Sequence, residues 1–302
     1  MNTYHQQVQL LVKLLVLVDS ESCFALKGGT AINLFVQNLP RLSIDIDLVY
    51  LPNENRNTAL DNIKQALDRI SQLIDKQFNH ARVVKSYLDK DDALRLVVTV
   101  NGVLVKIELS PVLRGTVFAP QRMRVVAQVE DRFGFVEINT VSLADLYAGK
   151  ICAALDRQHP RDLFDVKLFL DNYDFNTETR QAFIVYLISH PRPISEILRP
   201  KIKPLASQFN SEFKGMTFIE MSLNDLENCR TSLIELVSHS FNKDEKDFII
   251  SFQQNKPNWS LLSLDNIETL SAVRWKQLNI AKMPEQKLIK ETTKLIEILN
   301  LS

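Results

Sequence analysis

Glycine is scarce in this chain, with seven residues in 302. A residue so rare stands where the backbone needs its freedom, which makes the adjacent pair Gly28-Gly29 the first feature to explain. Cysteine is scarcer: Cys23, Cys152 and Cys229 are widely separated and odd in number. They form neither a disulfide framework nor a paired metal motif, and they point to a reducing, cytoplasmic setting. The five histidines show no ligand spacing, so no zinc site is expected. Net charge is also missing, since 36 Lys and Arg balance 36 Asp and Glu. A strongly charged partner such as a nucleic acid must therefore meet a local patch. No apolar run is long enough to cross a bilayer. The best candidate, residues 5–18, is interrupted by Lys13, lacks a basic leader and runs into Asp19-Ser20-Glu21. It reads as a buried helix, not as a signal segment.

What is present describes a soluble globular protein. Hydrophobic residues make up 45% and charged residues 24%, enough for a large core in one large or two ordinary domains. The first part alternates. A helix over 4–19 leads to a strand at 23–26, the Gly28-Gly29 turn, a helix over 30–37 and a strand over 43–51. Residues 57–78 place Leu60, Ile63, Leu67, Ile70, Leu73 and Ile74 at helical spacing. Strands follow over 82–88 and 93–100. The dipeptide Asn101-Gly102 then turns the chain into a returning strand over 103–109. Two short strands are expected over 122–128 and 133–138. From Ser142, an N-cap with Asp145 three residues on, the pattern is helical over 142–157, 161–171, 177–189, 222–240, 243–253 and 284–299. The expected organisation is an α/β (α+β) domain with a mixed, twisted sheet over 1–140 and an all-helical region over 141–302.

The chemistry concentrates in Leu26-Lys27-Gly28-Gly29-Thr30 and Ser43-Ile44-Asp45-Ile46-Asp47-Leu48. A glycine pair lets backbone approach a ligand closely. A helix opening at Thr30 aims free N–H groups and its positive dipole end at an anion. Asp45 and Asp47, two apart on a strand, share a face. Nucleotide transfer from a triphosphate needs gripped phosphates, neutralised charge and an in-line hydroxyl, and two metal ions about 4 Å apart serve the last two needs. Magnesium prefers carboxylate and phosphate oxygens, with manganese as an alternative. Glu108, whose neighbours Ile107 and Leu109 face the other way, is the candidate third carboxylate. Taken singly, a glycine pair is an ordinary turn and alternating acids are the wet face of a strand. Their conjunction, in this order on a turn and two strands, carries the reading.

These blocks resemble the DNA polymerase β-like nucleotidyltransferases. The flanking residues, Ala31-Ile32-Asn33-Leu34 and Arg41-x-Ser43-x-Asp45-Ile46-Asp47-Leu48, resemble the AbiEii-type abortive-infection toxins, which include the MenT toxins. A second block agrees: Ser142-Leu143-Ala144-Asp145-Leu146-Tyr147-Ala148-Gly149-Lys150, Arg157, and Arg161-Asp162-Leu163-Phe164-Asp165. The match spans about residues 20–172. The resemblance implies a nucleotidyltransferase that binds nucleotide through Lys27, Gly28, Gly29, Thr30, Ser43, Arg157 and Arg161, with Gly29 and Thr30 at the β- and γ-phosphates. It implies metal at Asp45 and Asp47, with Glu108 as the third ligand. Lys150 would act as a compact cation. Asp162 or Asp165 would orient that lysine or act near the attacking hydroxyl, so that the helical region contributes Lys150 and Asp162/Asp165 to the site.

The function expected from this is transfer of a nucleoside monophosphate from an NTP to an RNA 3′ hydroxyl, most simply that of tRNA, by the toxin of a toxin–antitoxin or abortive-infection system. Arg114, Arg122 and Arg124, with Arg192, Arg199, Lys201 and Lys203, are the candidate RNA patch. Trp259 and Trp275 read as core packing in preference to base stacking. A protein or small-molecule hydroxyl is the alternative acceptor, and a nucleotide-binding protein without turnover is the reading that the Asp45–Asp47 pair opposes. Expected partners are the NTP, the RNA and a cognate antitoxin, with no membrane.

Overall fold

The computed structural model describes residues 2–300, which divide into two compact units: Met1–Ser142 with Met216–Ile219, and Leu143–Gly215 with Glu220–Ser302. The first unit is built on seven strands: β1 (Phe24–Lys27), β2 (Asp45–Tyr50), β3 (Arg82–Lys85), β4 (Arg95–Val100), β5 (Val103–Leu109), β6 (Gln121–Arg124) and β7 (Glu137–Thr140). They lie in the order β3-β4-β5-β2-β1-β7-β6. β2 runs parallel to β5 and β1 parallel to β7, while the other pairs are antiparallel, so the sheet is mixed.

Helix α1 (Asn2–Val18) sets Val8, Leu11, Leu14 and Leu15 in the core and packs against β5. Short helix α2 (Gly28–Ala31) passes into a wider π turn over Ile32–Val36. Helix α3 (Arg56–Gln77) is capped by Asn55, whose side chain accepts from the Thr58 N–H. Its stripe of Leu60, Ile63, Leu67, Ile70 and Ile74 is buried. Helix α4 (Ala127–Phe133) lies between β6 and β7 in the chain.

The second unit is helical. It contains α5 (Leu143–Arg157), α6 (Pro160–Asn172), α7 (Thr177–Ser189), α8 (Ile194–Leu198), α9 (Ala206–Gln208), α10 (Leu223–Ser240), α11 (Lys243–Gln253), α12 (Ser271–Ala281) and α13 (Glu285–Asn300). α5 and α7 pack closely at Gly149, where a Cβ would lie 3.1 Å from the Tyr186 ring. Tyr147 stacks on Phe169 with centroids 4.2 Å apart, joining α5 to α6. Arg180 of α7 pairs with buried Glu245 of α11 at 2.9 Å.

The expected α/β sheet and following helices are both present. Four local expectations change. The helix read from residue 30 begins at Gly28 and widens into the π turn. The strand read over 122–128 stops at Arg124, because Val126 caps a helix that the valines at 125, 126 and 129 had disguised as alternation. The next strand falls at Glu137–Thr140, not 133–138. Helices α8, α9 and α12 were not foreseen; α12 mixes exposed Trp275 and Leu278 with buried Lys276, which blurs its apolar stripe. Trp259 packs on Phe248 and Phe252 but is only half-buried, and Trp275 is 52% exposed.

Ile107 lies in central strand β5 with no exposed surface. Truncation to alanine there removes buried methyl groups and leaves a cavity. We predict that Ile107→Ala loses about 2–5 kcal/mol of stability, as measured by the shift of the urea-unfolding midpoint.

Candidate active site

Alternation along β2 decides which way its acids point. Ile46 and Leu48 are fully buried, so Asp45 and Asp47 share the opposite, partly exposed face. Register then surrounds Asp47: Lys27 stands opposite it on β1 and Glu108 opposite it on β5, with Lys106 beside Asp45. These charges form one continuous face of the central strands, and Arg95 extends it onto β4 opposite Glu108.

The glycine pair fits against this face. Gly28 takes φ +75°, in the left-handed region, and a Cβ there would collide with the Asp47 carboxylate and lie 3.0 Å from the Asp47 Cβ. Residue 28 must therefore be bare for Asp47 to stand where it does. Gly29 is crowded for another reason. A Cβ there would lie 2.7 Å from Arg41 Nη2 and 3.0 Å from Ser43 Oγ. Thr30 is fully buried; its hydroxyl donates to the Asp45 carbonyl at 2.5 Å and shares a 3.0 Å hydrogen bond with Ser43 Oγ. Asn33 Nδ2 donates to the Gly29 carbonyl at 2.8 Å. The turn, the β2 acids and Ser43 are thus tied into one body.

The carboxylates differ in availability. Asp47 has no side-chain hydrogen bond or ion pair among the described residues. Glu108 is held by Arg95 Nε at 2.6 Å. No group of three His, Cys, Asp or Glu side chains able to hold a metal occurs among the described residues. The donor set near the turn therefore consists of Asp45 and Asp47. Their hard oxygens suit magnesium, which completes its shell with water and substrate phosphates. Arg95 competes for Glu108 as a third ligand.

In the second unit, α5 presents Lys150 and α6 presents Asp162 and Asp165. Lys150 Nζ lies 3.0 Å from a carboxylate oxygen of each aspartate, and all three side chains are at least nine-tenths buried. Arg157 reaches Asp162 from the outside through Nη2 at 2.9 Å and through Nε. Burial penalises the Asp162 carboxylate, but the adjacent Lys150 and Arg157 more than offset this and hold it well below the usual carboxylate range. The α6 start is set by His159, whose Nδ1 accepts from the Arg161 N–H, and by Pro160 in the first turn. Burial lowers the His159 pKa although Glu212 lies 3.1 Å from its Nε2. Arg161 faces Glu212 at 3.9 Å. Tyr186 of α7 is hydrogen-bonded to Asp145, and burial together with that carboxylate raises its pKa well above normal.

The arginines expected to form an RNA patch are not equivalent. Arg114 is buried, Arg122 pairs with Asp19, and Arg192 is held by Asp156 and Glu196. Arg124 in the first unit and Arg199, Lys201 and Lys203 in the second are exposed. The sequence pattern gives Arg41 only as part of a motif, yet its guanidinium meets the glycine turn. Its signal was its place two residues before Ser43.

Because the folded Asp162 titrates below the unfolded carboxylate, near 3.9, its stabilisation is fully present above that value and fades as pH falls below it. We predict that Asp162→Asn is most destabilising relative to the native chain at pH 6–7 and that the gap narrows toward pH 3. Urea titrations of both proteins across that range check this.

The family model for the AbiEii nucleotidyl transferase toxins of type IV toxin–antitoxin systems matches residues 9–265. Among solved structures, MenT4, a nucleotidyltransferase toxin of Mycobacterium tuberculosis H37Rv, superposes with a TM-score of 0.60 at 13% identity, covering 97% of this chain and 93% of that one. No curated protein matches the sequence. No helix among the described residues is long and apolar enough to cross a membrane. With the family pattern running through both the glycine turn and the Lys150 cluster, this chain belongs to the AbiEii nucleotidyltransferase toxins of type IV toxin–antitoxin systems.

Proposed function

We propose that this enzyme transfers a nucleoside monophosphate from an NTP to an RNA 3′ hydroxyl, with tRNA as the acceptor, and depends on magnesium held by Asp45 and Asp47. The observation that carries the proposal is the Asp47 carboxylate: half-buried, without a protein partner among the described residues, and set against a glycine turn that leaves it space. A carboxylate kept partly from water and unpaired is costly unless a cation completes it. Magnesium would supply charge neutralisation on the triphosphate and lower the pKa of the attacking hydroxyl. Asp45 and Asp47 are the ligands; Glu108, opposite Asp47 on β5, would join them as a third carboxylate on release from Arg95. Gly28, Gly29 and Thr30 receive the phosphates, with Lys27 and Ser43 flanking them. In the second unit Lys150 is the compact cation, and Asp162 and Asp165 hold its ammonium. Arg157 and Arg161 are the further nucleotide-binding positions. A cognate antitoxin restrains the toxin, and the protein acts in the cytoplasm.

The test is incubation with each labelled NTP, magnesium and total tRNA, comparing the native chain with Asp45→Ala and Asp47→Asn. Label entering RNA should fall roughly 10³-fold in either variant, the scale of losing a group that stabilises transition-state charge. Growth arrest on expression should follow the same pattern. Label on protein or on a small molecule with RNA untouched selects the other acceptor, and no label with any NTP refutes the transfer reading.

A further inference from the structure

The chain leaves the first unit after residue 142 and rejoins it for four residues only, Met216–Ile219. That short return is laid alongside residues 40–42. Leu42 N donates to the Met216 carbonyl at 2.9 Å, Phe218 N donates to the Pro40 carbonyl at 2.8 Å, and Arg41 and Thr217 face each other as an antiparallel bridge. The backbone of Arg41 is thereby fixed on both sides by residues about 175 positions away in sequence.

The side chain thus fixed is a buried cation. Arg41 is 3% exposed, and its Nη1 donates to the Leu42 carbonyl at 2.8 Å. Its Nη2 end lies so close to Gly29 that a Cβ there would stand 2.7 Å away. Ser43 Oγ crowds the same point and is hydrogen-bonded to Thr30. Arginine keeps its charge when buried and presents a rigid planar fork. Placed against Gly29, it adds positive potential beside the turn, and it wedges the turn against Ser43.

We propose that Arg41 is a positioning residue for the triphosphate, acting through the Gly29 turn and Ser43, and that Met216–Ile219 is the strap that sets it. The inference rests on the nucleotide-transfer reading and adds to it a nonlocal element that governs substrate binding. Its signature is a loss in the binding of nucleotide larger than the loss in turnover. Removing an interaction present in both ground and transition states raises KM and spares kcat.

The experiment measures kcat and KM for each NTP with magnesium, together with direct binding of the same labelled nucleotides, for the native chain, Arg41→Gln, Arg41→Lys and Phe218→Pro. Phe218 is 57% exposed, so proline there deletes one strap N–H without opening the core; Phe218→Ala keeps that N–H and separates the backbone effect from loss of the ring. The expected result is a KM and Kd raised roughly 10- to 100-fold in Arg41→Gln, the scale of a charge-assisted contact, with kcat changed less. Partial recovery is expected in Arg41→Lys, and a rise in Phe218→Pro beyond that in Phe218→Ala. Folded variants, checked by circular dichroism, whose KM and Kd stay within about twofold of native, or which lose kcat alone, overturn the proposal. Equal effects of proline and alanine at 218 overturn the strap. A native chain that neither binds nor transfers nucleotide refutes the parent reading and this one with it, whereas native transfer with an indifferent Arg41 refutes this one alone.

Discussion

The register of β2 between β1 and β5 is the constraint on which the site depends. Antiparallel to one neighbour and parallel to the other, β2 is fixed from both sides, with Lys27 opposite Asp47 and Glu108 opposite it again. A slip of one residue would drive Asp45 and Asp47 into the core and bring Ile46 and Leu48 to the surface. The buried face, with Leu26, Ile46, Leu48 and Ile107 all fully enclosed, resists that slip. The hydrophobic effect therefore aims the acids, and no interaction of the acids themselves is needed to do so.

The two units treat charge in opposite ways. In the first, Asp47 is left without a protein partner among the described residues and Gly28 is kept bare beside it. In the second, Lys150 is enclosed by two aspartates at 3.0 Å, and Arg157 braces one of them. A buried ion pair of this kind is weak evidence for stability, because desolvation consumes most of its Coulomb energy. What it does give is orientation. An ammonium held by two rigid carboxylates points in one direction, and His159, Pro160 and the close passage of α7 at Gly149 fix the helices that carry the three groups.

Much of this site was legible because its parts are local. Gly28-Gly29 marks a turn in any context, and Asp45-Ile46-Asp47 alternates on any strand. Lys150, Arg157, Asp162 and Asp165 lie within two turns of a helix junction, so their meeting follows from helical spacing and a tight connection. Glu108 shows where such reasoning stops. Its face was legible, but its pairing with Arg95 belongs to the β4–β5 register, which strand pattern alone does not give. Local ambiguity explains the misplacement around residues 121–140, where adjacent valines imitate a strand and Val126 in fact caps α4.

The sequence by itself determined the class of fold, the faces of the strands and the acids they carry. Those properties follow from the two-residue and 3.6-residue periods, which a chain imposes on its own neighbours. Only the tertiary structure decided that residues 216–219 would come back to lie beside 40–42, that Arg41 would end under Gly29, and that Arg95 would claim Glu108. Each of these is a contact between segments whose separation is set by how the whole chain closes on its core, and no local period encodes which distant strand arrives beside which.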